Sequence, residues 1–329
     1  MSGMRFMRVL GIRNAHYRAR SLYDLPDNSL VVPETVFENP MTLIPLGEVI
    51  QWYRALEEKT GDEDAIINLT RDVAIDKLGP VSRWIFSGID LASTIRRLNH
   101  SFQFLHSGAY LAGTQSGNII KWTYRNPLLP PDAQAHDSIR VAMFMLKVLR
   151  IYLGDAYTPL RVQLSGKRER QKLYEDYFGC EVEWHQPQTE VWLKVTDRLA
   201  LKKEGTSAAL AMNLNELDDF LNMPDAEDEI KVVYELVNYS RHYGLPTVDK
   251  VASLQGLSSQ QFQRRLQKLG LNFSTVSGFV LSNVAVSLMS KGLELDDIAN
   301  RLGYSNLASF NRMFKKHRGI TPVQFAQRF

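Results

Sequence analysis

The sequence predicts an α+β N-terminal domain followed by an all-α C-terminal domain that contains two helix-turn-helix units joined by a long helix. Three observations predict it. Helix and strand periodicities alternate irregularly up to residue 222, strand signals disappear from Ile230 onward, and one constellation of small and apolar residues occurs twice in the C-terminal region. A chain of 329 residues has room for two domains. With 44% hydrophobic and 23% charged residues its composition is globular, which sets aside disordered, collagen-like and disulfide-scaffold classes.

In the N-terminal region Val49, Ile50, Tyr53 and Leu56 fall at helical spacing within 47–59, ahead of Gly61. Leu91, Ile95, Leu98 and Phe102 repeat that pattern within 89–105. Residues 109–115 and 118–124 alternate around Ser116-Gly117, as the arms of a hairpin do. A long helix is predicted over 132–152, a strand over 160–164, a helix over 168–178 ended by Gly179, and strands over 181–184 and 191–195. The stretch NMPDAEDE, 222–229, carries a proline and a cluster of acids, and divides the chain into a domain over 1–222, an acidic linker over 223–229 and a domain over 230–329. Beyond it Ile230, Val233, Leu236 and Val237 form one apolar face ended by Gly244.

Charge is distributed unevenly. The net charge of the whole chain is +3, but residues 230–329 hold 13 basic and 5 acidic side chains, a net of +8, which leaves −5 for the preceding residues. A basic tail on a weakly acidic front suggests a nucleic-acid-binding module, so an isolated 230–329 fragment is expected to bind DNA with strong salt dependence. The lone cysteine, Cys180, forbids an intrachain disulfide and leaves no zinc-ligand spacing; a reducing compartment, the cytoplasm, is expected. The first residues lack the apolar core of a signal peptide. The most apolar stretch, 138–152, is interrupted by Arg140, Lys147 and Arg150 and falls short of the roughly 20 residues a bilayer span needs, so no membrane partner is expected.

The repeated constellation carries the function. Val251-Ala252, Gly256-Leu257, Phe262 and Leu266 supply what a helix-turn-helix needs: a small residue where two helices cross, a glycine for the turn and large apolar residues seating the second helix. Ile298-Ala299, Gly303-Tyr304, Phe310 and Phe314 repeat it, with a second turn one residue longer. Between them 273–290 reads as a helix with Val276, Phe279, Val280, Val284 and Leu288 on one face. At about 1.5 Å per residue it would span roughly 27 Å, close to the ~34 Å between successive major grooves. Thr321-Pro322 begins a last helix whose Phe325 can pack on the second unit.

SSQQFQRRLQKLGLNF and DDIANRLGYSNLASFNRMFKKHRGITPVQF make the C-terminal region resemble the DNA-binding domain of the AraC/XylS transcription regulators. The resemblance implies base or backbone contacts from Ser259, Gln260, Gln263 and Arg264 in the first unit, and from Asn306, Ser309, Asn311 and Arg312 at the matching positions of the second. The chemistry suits that role: arginine forks onto guanine, glutamine and asparagine pair with adenine, and serine bonds to base edge or phosphate. Lys268, Lys315, Lys316 and Arg318 suit phosphates. Two departures are Ser282 and Ala326, where the family often has arginine, and they put a backbone contact or a packing salt bridge in doubt. The N-terminal region resembles the arabinose-binding-type domain of one branch of the family, which includes regulators of ornithine use. The carriers are the helix at 49–57, LASTIRRLNHSFQFLHSG and YEDYFGCEVEW.

The resemblance implies a sequence-specific regulator, activation being the commoner outcome, that binds promoter DNA and recruits RNA polymerase. It also implies a homodimer formed through the N-terminal domain, which is controlled by a small-molecule effector or a regulatory protein. Sequence leaves those two controllers open. No cofactor is expected. His100 and His106 lack the spacing and partners of a metal site, and Cys180 lacks a cationic neighbour that would activate it. A DNA-tethered alkyl-transfer enzyme is disfavoured for the same reason, and the front half has no GxSxG, GxGxxG, P-loop or HExxH string. Lys167-Arg168-Glu169-Arg170 reads as a solvated charge run before an anion site. Trp52, Trp84, Trp122, Tyr124, Trp184 and Trp192 could wall an apolar pocket, although each singly reads as core, as do Met143 and Met145.

Overall fold

A computed structural model describes residues 3–202 and 212–327. The chain forms two compact units. One comprises Phe6–Met41 and Val49–Met223; the other comprises the chain from Pro224 onward with Thr42–Glu48 and the N-terminal residues up to Arg5.

The first unit is α+β. Its five-stranded sheet runs in the order Tyr110–Ser116, Ile119–Arg125, Thr189–Lys194, Arg161–Gln163, Val182–Glu183, antiparallel except for the last pair. Ser116 pairs with Ile119, so the hairpin turns at Gly117-Asn118, one residue later than predicted, with Gly117 at φ 57°. Trp122, Tyr124, Val162, Val191 and Leu193 are buried on one face of this sheet. The long helix Pro131–Leu153 packs there and is tied to it by a 2.7 Å hydrogen bond between Ser138 and Thr189. Three strands contribute to the opposite, wetter face, where Lys121 and Arg161 sit 4.2 and 5.3 Å from the Trp192 ring centroid.

Helices Leu10–Leu22, Ala65–Thr70, Pro80–Ile85 and Leu214–Leu221 complete the unit and were not foreseen. The run 167–170 is consumed in ion pairs: Lys167 with Glu169 at 2.6 Å, Arg168 with Glu57 at 3.4 Å, and Arg170 with Asp62 and Asp64. Cys180 is half-buried just ahead of its strand rather than in it, and burial, with Glu175 and Glu181 nearby, pushes its thiol up to about 11. Trp52, Trp122 and Tyr124 are core; Trp84, Trp184 and Trp192 are half-buried.

A buried polar cluster lies beside the long helix. Asp137 accepts hydrogen bonds from Tyr53 at 3.1 Å, from Arg140 at 2.7 Å and from Tyr124. Burial, the largest single influence, would raise its carboxyl, but Arg140, His106 and the Tyr124 hydrogen bond together outweigh it and hold the carboxyl below the usual carboxylate range. His106 sits between Tyr124 at 3.4 Å and Asn126 at 3.1 Å, and burial lowers it to about 4.

The second unit is helical, with no strand among the described residues from Pro224 onward. Glu229–Ser240 is followed by Val248–Leu254, Ser259–Lys268, Phe273–Met289, Leu295–Arg301, Leu307–Arg318 and Pro322–Ala326. The two turns occupy 255–258 and 302–306, so the second is one residue longer, as the repeat predicts. Gly256 and Gly303 take φ of 67° and 84°; Ala252, Ala299, Phe262, Leu266, Phe310 and Phe314 are buried. Thr321 caps the last helix in a capping box with Gln324, and Phe325 packs edge-on to Phe314 at 5.5 Å.

Two apolar faces differ from expectation. Ile230 is 54% exposed while Val232, Val233, Leu236 and Val237 are buried, and Phe279 on the connector is 49% exposed, packing its edge on Tyr234 at 5.7 Å. The connector is apolar nearly all round, so periodicity could not say which side faces the core. The acidic stretch is also less solvated than a plain linker, since Asp228 caps the helix Glu229–Ser240 and Glu229 pairs with Arg265 at 3.1 Å. Among the described residues no single helix is long and apolar enough to cross a membrane, and no group of His, Cys, Asp or Glu could hold a metal.

This packing sets two expectations for stability. A Cβ at Gly303 would lie 2.5 Å from the backbone nitrogen of Leu245, whereas one at Gly256 meets nothing within 4 Å. In urea denaturation Gly303→Ala is therefore expected to cost about 2 kcal/mol or more and Gly256→Ala about 1 kcal/mol, the left-handed penalty alone. The second expectation concerns pH. Burial lowers both His106 and His136 to about 4, from about 6.5 in an unfolded chain. The unfolded chain binds protons in that window that the folded one refuses, so the stabilisation is full above about pH 6.5 and is lost as pH falls toward 4. The melting temperature should drop between pH 7 and 5, with a shallower slope in His106→Gln.

Candidate nucleic-acid interface

Each recognition helix begins with a side-chain cap that frees its outer face. Ser258 accepts from the Gln261 N–H while Gln261 accepts from that of Ser258, and Asn306 Oδ1 accepts from the Ser309 N–H at 2.8 Å. The inner stripes are Phe262 with Leu266 and Phe310 with Phe314, all buried. Superimposing those stripes pairs Gln260 with Ala308, Gln263 with Asn311, Arg264 with Arg312, Gln267 with Lys315 and Lys268 with Lys316. Counting from the glycines instead slips the register, because the second turn is longer. Asn306 therefore matches the cap Ser258, and Ser309 matches Gln261.

The exposed positions are Gln260, Gln261, Gln263, Arg264, Gln267 and Lys268 on the first helix, and Ala308, Arg312, Lys315 and Lys316 on the second. Spacings of three and four residues put Gln260, Gln263, Arg264 and Gln267 on one face, and Ala308, Arg312 and Lys315 on the equivalent one. Among the described residues no carboxylate pairs with Arg264, Lys268, Arg312, Lys315 or Lys316. Arg312 makes one neutral contact, donating to the Ser309 hydroxyl at 2.9 Å. Both faces thus present uncompensated positive charge beside hydrogen-bonding side chains, the combination that phosphates and base edges require.

Several expected contacts sit differently. Ser259 is half-buried and donates its hydroxyl to Asp249 of the preceding helix. The Asn306 carbonyl is committed to its cap, and Asn311 is half-buried with Oδ1 turned inward and unbonded. Arg318 is directed inward: it donates to Asn283 on the connector, which in turn donates to Tyr234. Arg265 faces the framework instead and bridges to Glu229 and to Gln255 at 3.1 Å each. Ser282 is fully buried and bonds to the Phe279 carbonyl of its own helix, while Ala326 is exposed. Gln267 and Ala308, which the glycine spacing does not single out, share the outer faces set by the phenylalanine spacing.

The connector fixes the two faces in one body. Gly278 lets His317 approach so closely that a Cβ would lie 1.9 Å from its Nε2, and Phe273 meets Phe262 edge-on at 6.3 Å. At 17 residues it spans about 25 Å, somewhat less than the expected length.

Two such units with outward cationic faces define a DNA-binding transcription regulator. Residues 251–328 match a helix-turn-helix domain model, and residues 29–199, more than half of the chain, match the model described as the arabinose-binding domain of AraC transcription regulator, N-terminal. The uncharacterized HTH-type transcriptional regulator Rv1395 of Mycobacterium tuberculosis is 32% identical over 84 residues, 25% of this chain and 24% of that protein. The HTH-type transcriptional activator CfaD of Escherichia coli is 30% identical over 80 residues, 24% of this chain and 30% of that one. The crystal structure of the transcriptional regulator CdpR from Pseudomonas aeruginosa aligns over 95% of this chain and 98% of its own at 16% identity, with a TM-score of 0.43. The chain belongs to the AraC/XylS family of transcription regulators. The matched families and relatives are regulators, not enzymes.

The inward and outward groups separate experimentally. Asn306→Ala and Arg318→Met are each expected to lower stability by about 1 kcal/mol without changing the salt slope of DNA binding. Lys316→Ala should do the reverse, leaving the urea midpoint in place and reducing that slope by about one.

Proposed function

We propose that the protein is a sequence-specific regulator that reads two successive major grooves of a promoter, one with each recognition helix. The observation that carries this is the pair of equivalent faces on which Arg264 and Arg312 stand exposed, without a carboxylate partner among the described residues. Gln260 and Gln263 add base-reading capacity to the first face, and Lys268, Lys315 and Lys316 supply phosphate contacts. Asn306, Ser309 and Asn311 remain in the second site as cap, arginine partner and flank, and Ser259 stays at the edge of the first, bonded to Asp249.

The front unit is the control domain. An apolar cavity of about 110 Å³ in this unit favours a small-molecule effector over a protein controller, and the protein works in the cytoplasm as a homodimer paired through this unit. Activation through RNA polymerase is the regulatory outcome favoured by the similarity to CfaD, a transcriptional activator. A gel-shift titration against the protein's own upstream region, with Arg264→Ala and Arg312→Ala beside the parent, tests the DNA reading. Each change is expected to weaken specific binding by about 1 to 3 kcal/mol. Unchanged affinity in both would contradict it.

A further inference from the structure

The front unit holds a cavity of about 110 Å³ that none of its tryptophans lines. Its walls come from the helices Leu10–Leu22 and Pro131–Leu153 and from the chain between Thr70 and Phe86. The lining is mostly hydrocarbon and includes Phe144, half-buried on the same side of the long helix as Arg140 and Lys147. Met143, expected as plain packing, is part of the wall. An apolar cavity of ~150 Å³ is large enough to hold benzene, so the space suits a body of a few carbon atoms.

The polar groups at the cavity are mostly committed. Arg140 donates to Tyr53 at 2.9 Å, Asp137 at 2.7 Å and the Gly11 carbonyl at 3.4 Å. Arg8 donates to the carbonyls of Phe104 and Met41 at 2.9 and 2.7 Å, and His106 is held by Tyr124 and Asn126. Lys147 differs. Its ammonium donates to the carbonyls of Thr70 at 2.6 Å and Val73 at 2.7 Å, which leaves one proton unspent, and among the described residues no carboxylate lies within ion-pair distance. The nearby Asp72 is paired with Arg18 at 3.0 Å. The side chains of Asn14 and Ser82 have no hydrogen-bond partner among the described residues.

These three groups cannot satisfy a sugar, which carries a hydroxyl on nearly every carbon; each one buried without a partner costs about 1 to 3 kcal/mol. A molecule with an apolar body and one anionic acceptor matches the inventory. We propose that this cavity binds a short-chain monocarboxylate, with its hydrocarbon among the apolar walls and its carboxylate on the Lys147 ammonium, and that it is not a sugar site. Only the regulatory consequence of binding rests on the front unit being an effector domain, since occupancy is read without DNA.

The test uses the full chain with butyrate, 1-butanol and L-arabinose, read by isothermal titration and thermal shift. Butyrate should bind and raise the melting temperature, butanol should bind more weakly, and arabinose should do neither at the same concentration. Lys147→Met should weaken butyrate about tenfold while changing butanol by less than about threefold, because only the charge-assisted bond is lost. Val141→Phe, which fills the cavity, should abolish both and shows the same dependence if Lys147→Met does not fold. No butyrate binding, binding that survives Val141→Phe, or arabinose binding that Val141→Phe removes would overturn the proposal. Butyrate binding that leaves gel-shift affinity unchanged would keep the cavity assignment and count against effector control instead.

Discussion

The geometry of the DNA-binding unit depends on the burial of the connector helix. A 17-residue helix that is apolar on almost every side cannot be left in water, and the second unit encloses it from several directions. Val280, Leu281, Ala285 and Met289 lie in the interior, and Leu281, Ala285 and Met289 share one core with Phe310 and Phe314 of the second recognition helix. Phe262 reaches the connector through Phe273, and Arg318 is latched to it through Asn283. Burying the connector therefore fixes both recognition helices relative to one another. Each inner stripe then dictates its outer face: with Phe262 and Leu266 inside, Arg264 and Lys268 must point out, and the same holds for Arg312 and Lys316 against Phe310 and Phe314.

The all-α tail was legible because its determinants are local. A buried alanine, a glycine at positive φ and two aromatic or aliphatic anchors leave a fixed spacing in the chain, and even the extra residue in the second turn was readable. What sequence could not read was direction in space. Arg318 has the composition of a phosphate contact but ends against Asn283, and Asn306 spends its carbonyl on a cap. Phe279 and Val280 are adjacent and equally apolar, yet one is exposed and the other buried, a choice made by neighbours distant in sequence. In the front unit the long helix and the hairpin stood out through length and alternation. The short helices near the N-terminus did not, since helices of four to six residues such as Glu34–Phe37 and Ala65–Thr70 hold too few turns for a periodic signal. The cavity was invisible too: its tryptophan candidates are elsewhere, and Leu10, Val73 and Phe144 reach it from segments brought together only by folding.

The charge asymmetry gains a physical meaning from these placements. In the front unit a set of positive side chains is neutralised by ion pairs, as Arg168 with Glu57, Arg170 with Asp62 and Asp64, and Arg140 with Asp137. In the tail, acids such as Asp228 and Glu229 serve the framework, while the cations on the recognition faces keep their charge for an outside partner. A fragment that begins at residue 230 would lose both of those acids. It would also lose Glu48, which accepts from Tyr239 at 2.9 Å and from Tyr243 within the same compact unit.

The central claim is that one chain presents two base-reading helices held together by their shared connector. Selection of binding sites from random duplex DNA tests it most directly. Two conserved blocks about 10 base pairs apart, centre to centre, are expected, with Arg312→Ala erasing one block and sparing the other. A single conserved block, or two blocks that fade together when Arg312 is replaced, would contradict it.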